Sequence, residues 1–251
     1  MAGGIGAYDD SPLTTIRSYV QGLGIRDESA KTRLINELSR ALSIGADAEI
    51  GEMITVGEMS STTLENCIRY SSPASHEMSM CFNFHHLKVD YKNGDKWALM
   101  EPDYVRLGQI FREWQEEMSR RGGWNAVFWC NHDQPRVVSR FGDEGAYWKR
   151  SAKMLGTFIH FLRGTPYVYQ GEEIGMTNAH YTSIEQYNDV ECINYYHILL
   201  EKGLSEQDAL EVLAKRSRDN SRTPMQWNPQ HNAGFTNGSP WLEIPDNYRS
   251  I

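Results

Sequence analysis

In the stretch Val127-Phe128-Trp129-Cys130-Asn131-His132-Asp133-Gln134-Pro135-Arg136, an apolar run ends abruptly in hydrogen-bonding and charged side chains, with a proline behind them. Large apolar residues in unbroken succession read as a strand buried on both faces, as in parallel sheets. Polar groups gathered at the C-terminal end of such a strand are where barrel enzymes keep their chemistry. An amide, an imidazole and a carboxylate side by side suit a substrate with many hydroxyls.

Composition narrows the class. The 251 residues suffice for one large domain or two small ones, and 40% apolar with 23% charged residues is ordinary for a globular chain. A net charge of −8 argues against a nucleic-acid binder, because there is no basic excess to neutralise phosphates. No window approaches the roughly 20 apolar residues of a membrane span. The first ten residues have neither a basic nor an apolar region, so no secretory signal is read there. Cys67, Cys81, Cys130 and Cys192 lack metal or redox spacing. They read as buried reduced thiols of a cytoplasmic protein, and no metal or cofactor is expected. Seven Trp residues suit a carbohydrate site, although aromatic cores are the commoner cause.

The elements that must position these groups follow from periodicity. Leu13, Ile16, Val20 and Leu23, then Leu34, Leu38 and Leu42, fall at helical spacing, so residues 1–50 read as a helical segment of their own. Residues 53–59 form a short apolar, β-branched run around a carboxylate, Glu58. Residues 60–63 offer caps for a helix around Leu64 to Tyr70. Residues 78–84 are a second strand. Tyr104, Leu107, Phe111, Trp114 and Met118 mark one face of a helix. Residues 124–130 form the third strand, 154–162 a largely buried helix, and 164–170 the fourth strand. The remainder is rich in turn formers, with one clear helix over 205–216 capped by Ser205. Strand and helix in alternation specify a parallel α/β sheet.

From about Ile54 onward the chain resembles glycoside hydrolase family 13, the α-amylase family. Thr55-Val56-Gly57-Glu58-Met59 is similar to its fifth-strand motif, residues 129–136 to the seventh, and residues 164–175 to the eighth. Ser217-Arg218-Asp219-Asn220-Ser221-Arg222-Thr223-Pro224-Met225-Gln226-Trp227 is similar to the oligo-1,6-glucosidase-like branch. The resemblance implies a partial (β/α)8 TIM barrel, strands five to eight, over residues 51–251. It also implies retaining chemistry, which uses a nucleophile and an acid/base about 5–5.5 Å apart. By the resemblance Glu58 is the acid/base, Asp133 the transition-state stabiliser, and His132 and Arg222 sugar contacts. Glu172 and Glu173 read as structural at the rim.

Relatives that cut neutral sugars tend to carry acidic residues where this chain has His85 and Lys88. Basic groups there imply a phosphorylated disaccharide as the small-molecule partner. A neutral α-1,6-linked substrate and a non-catalytic phosphosugar binder remain alternatives. The family nucleophile, an Asp in a Gly-x-Arg-x-Asp setting, has no counterpart. Gly24-Ile25-Arg26-Asp27 lacks one residue of that spacing and lies in a polar helical stretch. A half-barrel with two open edges is expected to be marginal alone, inactive, and dependent on a missing N-terminal half-barrel.

Overall fold

The computed structural model describes residues 54–250, so the helices read between Leu13 and Leu42 lie outside the described residues. In chain order the main elements are β1 (Val56–Met59), α1 (Leu64–Ser71), β2 (Met80–Asn83), α2 (Tyr104–Arg120), β3 (Asn125–Phe128), α3 (Val137–Phe141), α4 (Trp148–His160), β4 (Thr165–Tyr167), α5 (Val190–Glu201), α6 (Glu206–Arg216) and α7 (Asp219–Arg222). The four strands form one sheet in sequential order, β1-β2-β3-β4. β1 and β2 pair in parallel with Val56 opposite Met80 and Glu58 opposite Phe82, and β2 and β3 pair in parallel with Cys81 opposite Asn125. Parallel neighbours need a crossover between them, and α1 and α2 supply it.

The chain divides into two compact units. One contains β1, α1, β2 and Arg112–Ala126; the other contains His85–Phe111 and the chain from Val127 on. In the first unit, Thr63 caps α1 by accepting from the Asn66 N–H at 3.3 Å. Cys67, Ile68 and Tyr70 bury the inner face of that helix. Ser71 ties the helix end to the entry of β3: its Oγ donates to the Cys67 carbonyl at 2.7 Å and accepts from the Trp124 N–H at 2.9 Å.

The second unit has two apolar centres. In one, His86 is ringed by Phe111, Phe128 and Trp129 at centroid distances of 5.2, 5.3 and 5.8 Å. Its Nε2–H donates to the Phe128 carbonyl at 2.9 Å, and burial pushes the imidazole pKa down to about 3, so the ring stays neutral. In the other, Trp97, Tyr181, Tyr187, Cys192, Tyr196, Leu199, Leu213 and Leu242 join α5 to α6 and the chain end. All four cysteines are buried and unbonded to one another.

Three expectations need correction. The helix expected over 154–162 begins at Trp148 and is buried on one stripe only, Ser151, Leu155 and Ile159 at i, i+4 spacing. Met154, Phe158 and Phe161 lie off that stripe and are exposed. The turn-rich C-terminal part holds a second long helix, α5, which begins at its Asp189 cap. Its polar residues, Glu191, Asn194, His197 and Glu201, share their face with exposed Val190 and Ile198, which blurs the helical period. The apolar run around Glu58 does enter the sheet, but of Ile54–Gly57 only Gly57 is buried: Ile54, Val56 and Glu58 alternate onto one exposed face of β1, which is an outer strand among the described residues.

Candidate active site

β3 is buried at all four positions and delivers the chain into residues 129–136. Trp129 anchors the exit: its indole N–H donates to the Leu155 carbonyl at 3.0 Å. The next turn is set by Asn131, whose Oδ1 accepts from the Asp133 N–H at 2.8 Å, an Asx turn that fixes the direction of the Asp133 side chain.

Asp133 then meets Arg222. The guanidinium Nη2 donates to Asp133 Oδ1 at 2.5 Å, and Arg222 Nε donates to the His132 carbonyl at 2.9 Å. His132 Nε2 lies 3.4 Å from Asp133 Oδ2. All three side chains keep solvent access, at 61% for His132, 36% for Asp133 and 33% for Arg222. An imidazole, a carboxylate and a guanidinium therefore present donors and acceptors to one accessible spot, as recognition of a polyhydroxylated ligand requires.

Arg218 backs this cluster. It grips the buried carboxylate of Asp189 with two hydrogen bonds, 2.8 and 2.5 Å, and lies 3.9 Å from Asp133 Oδ1. Burial alone would raise the Asp189 pKa, but the Arg218 hydrogen bonds and charge hold it below the usual carboxylate range. Asp189 also caps α5, and Asp219 accepts the Asn188 and Asp189 N–H groups at 2.8 and 2.9 Å. The α7 turn carrying Arg222 is thus stitched to the start of α5.

Arg136 supports the same turn from within. It is 1% exposed and spends its guanidinium on three carbonyls, those of Gln170 at 2.5 Å and of Asn220 and Ser221 at 3.3 Å each. Its own N–H donates to Asn178 Oδ1 at 2.8 Å. Beyond β4, Glu172 and Glu173 each accept a backbone N–H, from Tyr169 at 2.8 Å and from Gly171 at 2.7 Å. Burial pushes the Glu172 pKa up to about 7.

His85 to Lys88 form a single 3-10 turn in which His86 and Leu87 are buried. In such a turn positions i and i+3 eclipse, so half-buried His85 and exposed Lys88 share one side. Partial burial lowers the Lys88 pKa from its ordinary value. Two residues on, Asp90 is buried between two arginines, Arg140 at 2.7 Å and Arg216 at 2.5 Å. Glu58 is exposed near the C-terminal end of β1, in the first unit. Among the described residues no group of His, Cys, Asp or Glu side chains could hold a metal ion, and no helix is long and apolar enough to cross a membrane.

His132, Asp133 and Arg222 are therefore brought together, and His85 joins Lys88. Arg218, Asp189, Asn131 and Arg136 were not singled out from the sequence. Arg218 stands in the motif that holds Arg222, and Asn131 and Arg136 flank the His132-Asp133 pair, so a motif read residue by residue contained that signal. Asp189 had none.

Residues 11–251 match the family model for the alpha-amylase catalytic domain. Trehalose-6-phosphate hydrolase of Bacillus subtilis (strain 168) is 58% identical over 200 residues, 80% of this chain and 36% of its own length. The protein of that name from Escherichia coli (strain K12) is 58% identical over 199 residues, 79% of this chain and 36% of its own. Probable oligo-1,6-glucosidase 2 of Bacillus subtilis (strain 168) is 48% identical over 202 residues, 80% of this chain and 36% of its own. The crystal structure of Bacillus licheniformis trehalose-6-phosphate hydrolase superposes with a TM-score of 0.81 at 56% identity, covering 88% of this chain and 39% of that one. The chain thus spans a little over a third of the length of the relatives it matches, and its parallel sheet is part of a (β/α)8 barrel. On the matched model, the strand order and the motifs at β1, β3 and β4, this chain belongs to the alpha-amylase catalytic-domain family.

Proposed function

We propose that this chain carries the C-terminal half of a trehalose-6-phosphate hydrolase active site. The reaction is the retaining hydrolysis of trehalose 6-phosphate by one water to glucose and glucose 6-phosphate. The observation that carries the reading is the cluster of Asp133, Arg222 and His132, accessible and held by the 2.5 Å contact between Arg222 Nη2 and Asp133 Oδ1. Asp133 holds hydroxyls of the reacting glucose and steadies positive charge as the ring approaches its oxocarbenium-like transition state. Arg222 and His132 complete the grip on that sugar. Glu58 gives a proton to the departing glycosidic oxygen, then takes one from the water that releases the glucosyl group.

His85 and Lys88, on one side of their turn, bind the phosphate through charge-assisted hydrogen bonds. The carboxylate nucleophile that retaining chemistry requires is supplied by an N-terminal half-barrel, in the cytoplasm. The 48% identity to probable oligo-1,6-glucosidase 2 favours one second reading, a neutral α-1,6-linked substrate. Calorimetric titration with trehalose 6-phosphate and with isomaltose separates the two. The proposal requires tighter binding of the phosphorylated sugar, and a preference for isomaltose would reverse it.

A further inference from the structure

The second unit carries a feature that the proposed chemistry does not use. Trp241 is 59% exposed, yet its indole N–H is not left to solvent: it donates to the Arg222 carbonyl at 2.9 Å. Phe235, half-buried, braces the ring in a T-shaped contact at 5.2 Å and 81°. Indole has one polar edge and two apolar faces. Here the polar edge is tied while the residue as a whole stays exposed.

The loop that presents Trp241 is built to hold it. The Asn188 side-chain amide donates to the Trp241 carbonyl at 2.5 Å, and Leu242 is buried at 3% exposure. Asn232 Nδ2 donates to the carbonyls of Thr236 at 3.1 Å and Gly238 at 2.8 Å. Asn232 and Ala233 sit at φ of 51° and 52°, a left-handed conformation that costs a non-glycine residue energy and persists where the surroundings impose it. Ala233 is fully buried, and its carbonyl accepts from the Trp227 and Asn228 N–H groups at 2.9 and 3.1 Å. A loop so constrained that ends by exposing an indole face is organised for contact with a ligand.

Arg222 names the ligand class. Its guanidinium holds Asp133 while its carbonyl holds Trp241, so one residue links the proposed sugar-holding carboxylate to the exposed ring. A pyranose presents C–H groups on its faces and hydroxyls around its rim, the complement of a flat apolar surface beside polar groups. We propose that Trp241, braced by Phe235, is a stacking platform for the second hexose ring of the substrate. The proposal rests on the reading of Asp133 and Arg222 as the grip on the first ring. The platform is uncharged, so it serves a neutral and a phosphorylated disaccharide alike, whereas Lys88 and His85 respond only to phosphate.

The test is calorimetric titration of the full chain with methyl α-D-glucopyranoside, trehalose and trehalose 6-phosphate. Trp241→Ala is expected to weaken both disaccharides by the same factor, roughly three- to tenfold, the size of an aromatic stacking contribution. It is expected to leave the methyl glucoside unchanged. Trp241→Phe, which keeps an aromatic face, is expected to recover most of the loss. Equal weakening of all three ligands would overturn the platform, because Trp241 would then act only by holding Arg222. Unchanged disaccharide affinity in Trp241→Ala, or a Phe variant as weak as the Ala variant, would overturn it too. If Asp133→Asn weakens every ligand while Trp241→Ala weakens none, the platform alone falls. If the unaltered chain binds none of the three, the platform and the reading of Asp133 fall together.

Discussion

Arg222 and Asp133 are joined across 89 residues of sequence by a 2.5 Å contact between Nη2 and Oδ1. The same guanidinium reaches the His132 carbonyl at 2.9 Å, so Arg222 fixes both the carboxylate and the backbone that carries it. Ion pairs with this much solvent access contribute little to folding, about 0–1 kcal/mol. The contact therefore matters chiefly for where Asp133 points.

That separates stability from binding. Arg222→Ala is expected to change the unfolding free energy by no more than about 1 kcal/mol. It should weaken sugar binding by about 10- to 100-fold, the worth of a hydrogen bond to a charged group. Urea unfolding and calorimetric titration of one protein preparation measure both. A loss in stability without a loss in binding would assign Arg222 a merely structural role.

The phosphate contacts predict a charge-selective effect. Lys88→Glu should weaken trehalose 6-phosphate by about 10-fold or more, through loss of a charge-assisted hydrogen bond and gain of repulsion. It should leave trehalose unchanged. Parallel loss for both sugars would remove Lys88 from the phosphate site.

Asp90 is predicted to be a stability residue. It is buried between Arg140 and Arg216, and Asp90→Ala would leave two buried guanidinium groups without their carboxylate, at about 3–5 kcal/mol. Burial would raise its pKa, but hydrogen bonds and charge from Arg140, and the charge of Arg216, hold it below the usual carboxylate range. A folded-state pKa below the unfolded value gives stability that is present above the unfolded pKa and lost as pH falls through the folded one. Melting curves from pH 7 downward should show an acid-dependent loss in the unaltered chain that is smaller in Asp90→Ala.

Glu172 carries the opposite sign. Burial pushes its pKa up to about 7, so the folded chain holds a proton that the unfolded chain releases near the ordinary value of 4.5. Its contribution is full below the unfolded pKa and is lost as pH rises through about 7. Glu172→Gln should remove that component. The variant should gain on the unaltered chain between pH 5 and pH 8 in paired thermal melts, and a constant difference across that range would contradict it.

The order of the strands was legible because Val127 to Cys130 and residues 53–59 are short apolar runs, each followed by polar groups, and α1 and α6 announced themselves through Thr63 and Ser205. α5 was not, since Cys192, Tyr196 and Leu199 face a core while Val190 and Ile198 are apolar but exposed, which erases the period. His132, Asp133 and Arg222 were legible as types in motifs. Their union was not, because it depends on Arg136, whose carbonyl partners Gln170, Asn220 and Ser221 lie 34 to 85 residues away. No local pattern distinguishes a fully buried arginine satisfied by carbonyls from one in solvent. The exposure of Ile54 and Val56 likewise depends on what covers that face of β1, which the run itself does not encode.

The most direct test of the proposed site is calorimetric titration of the purified chain with trehalose 6-phosphate, beside Asp133→Asn and with glucose release followed in the same samples. Saturable binding is expected, weakened by Asp133→Asn by about tenfold or more, the worth of hydrogen bonds to a charged carboxylate, with no glucose released. Identical isotherms for the two proteins, or release of glucose that Glu58→Gln abolishes, would contradict it.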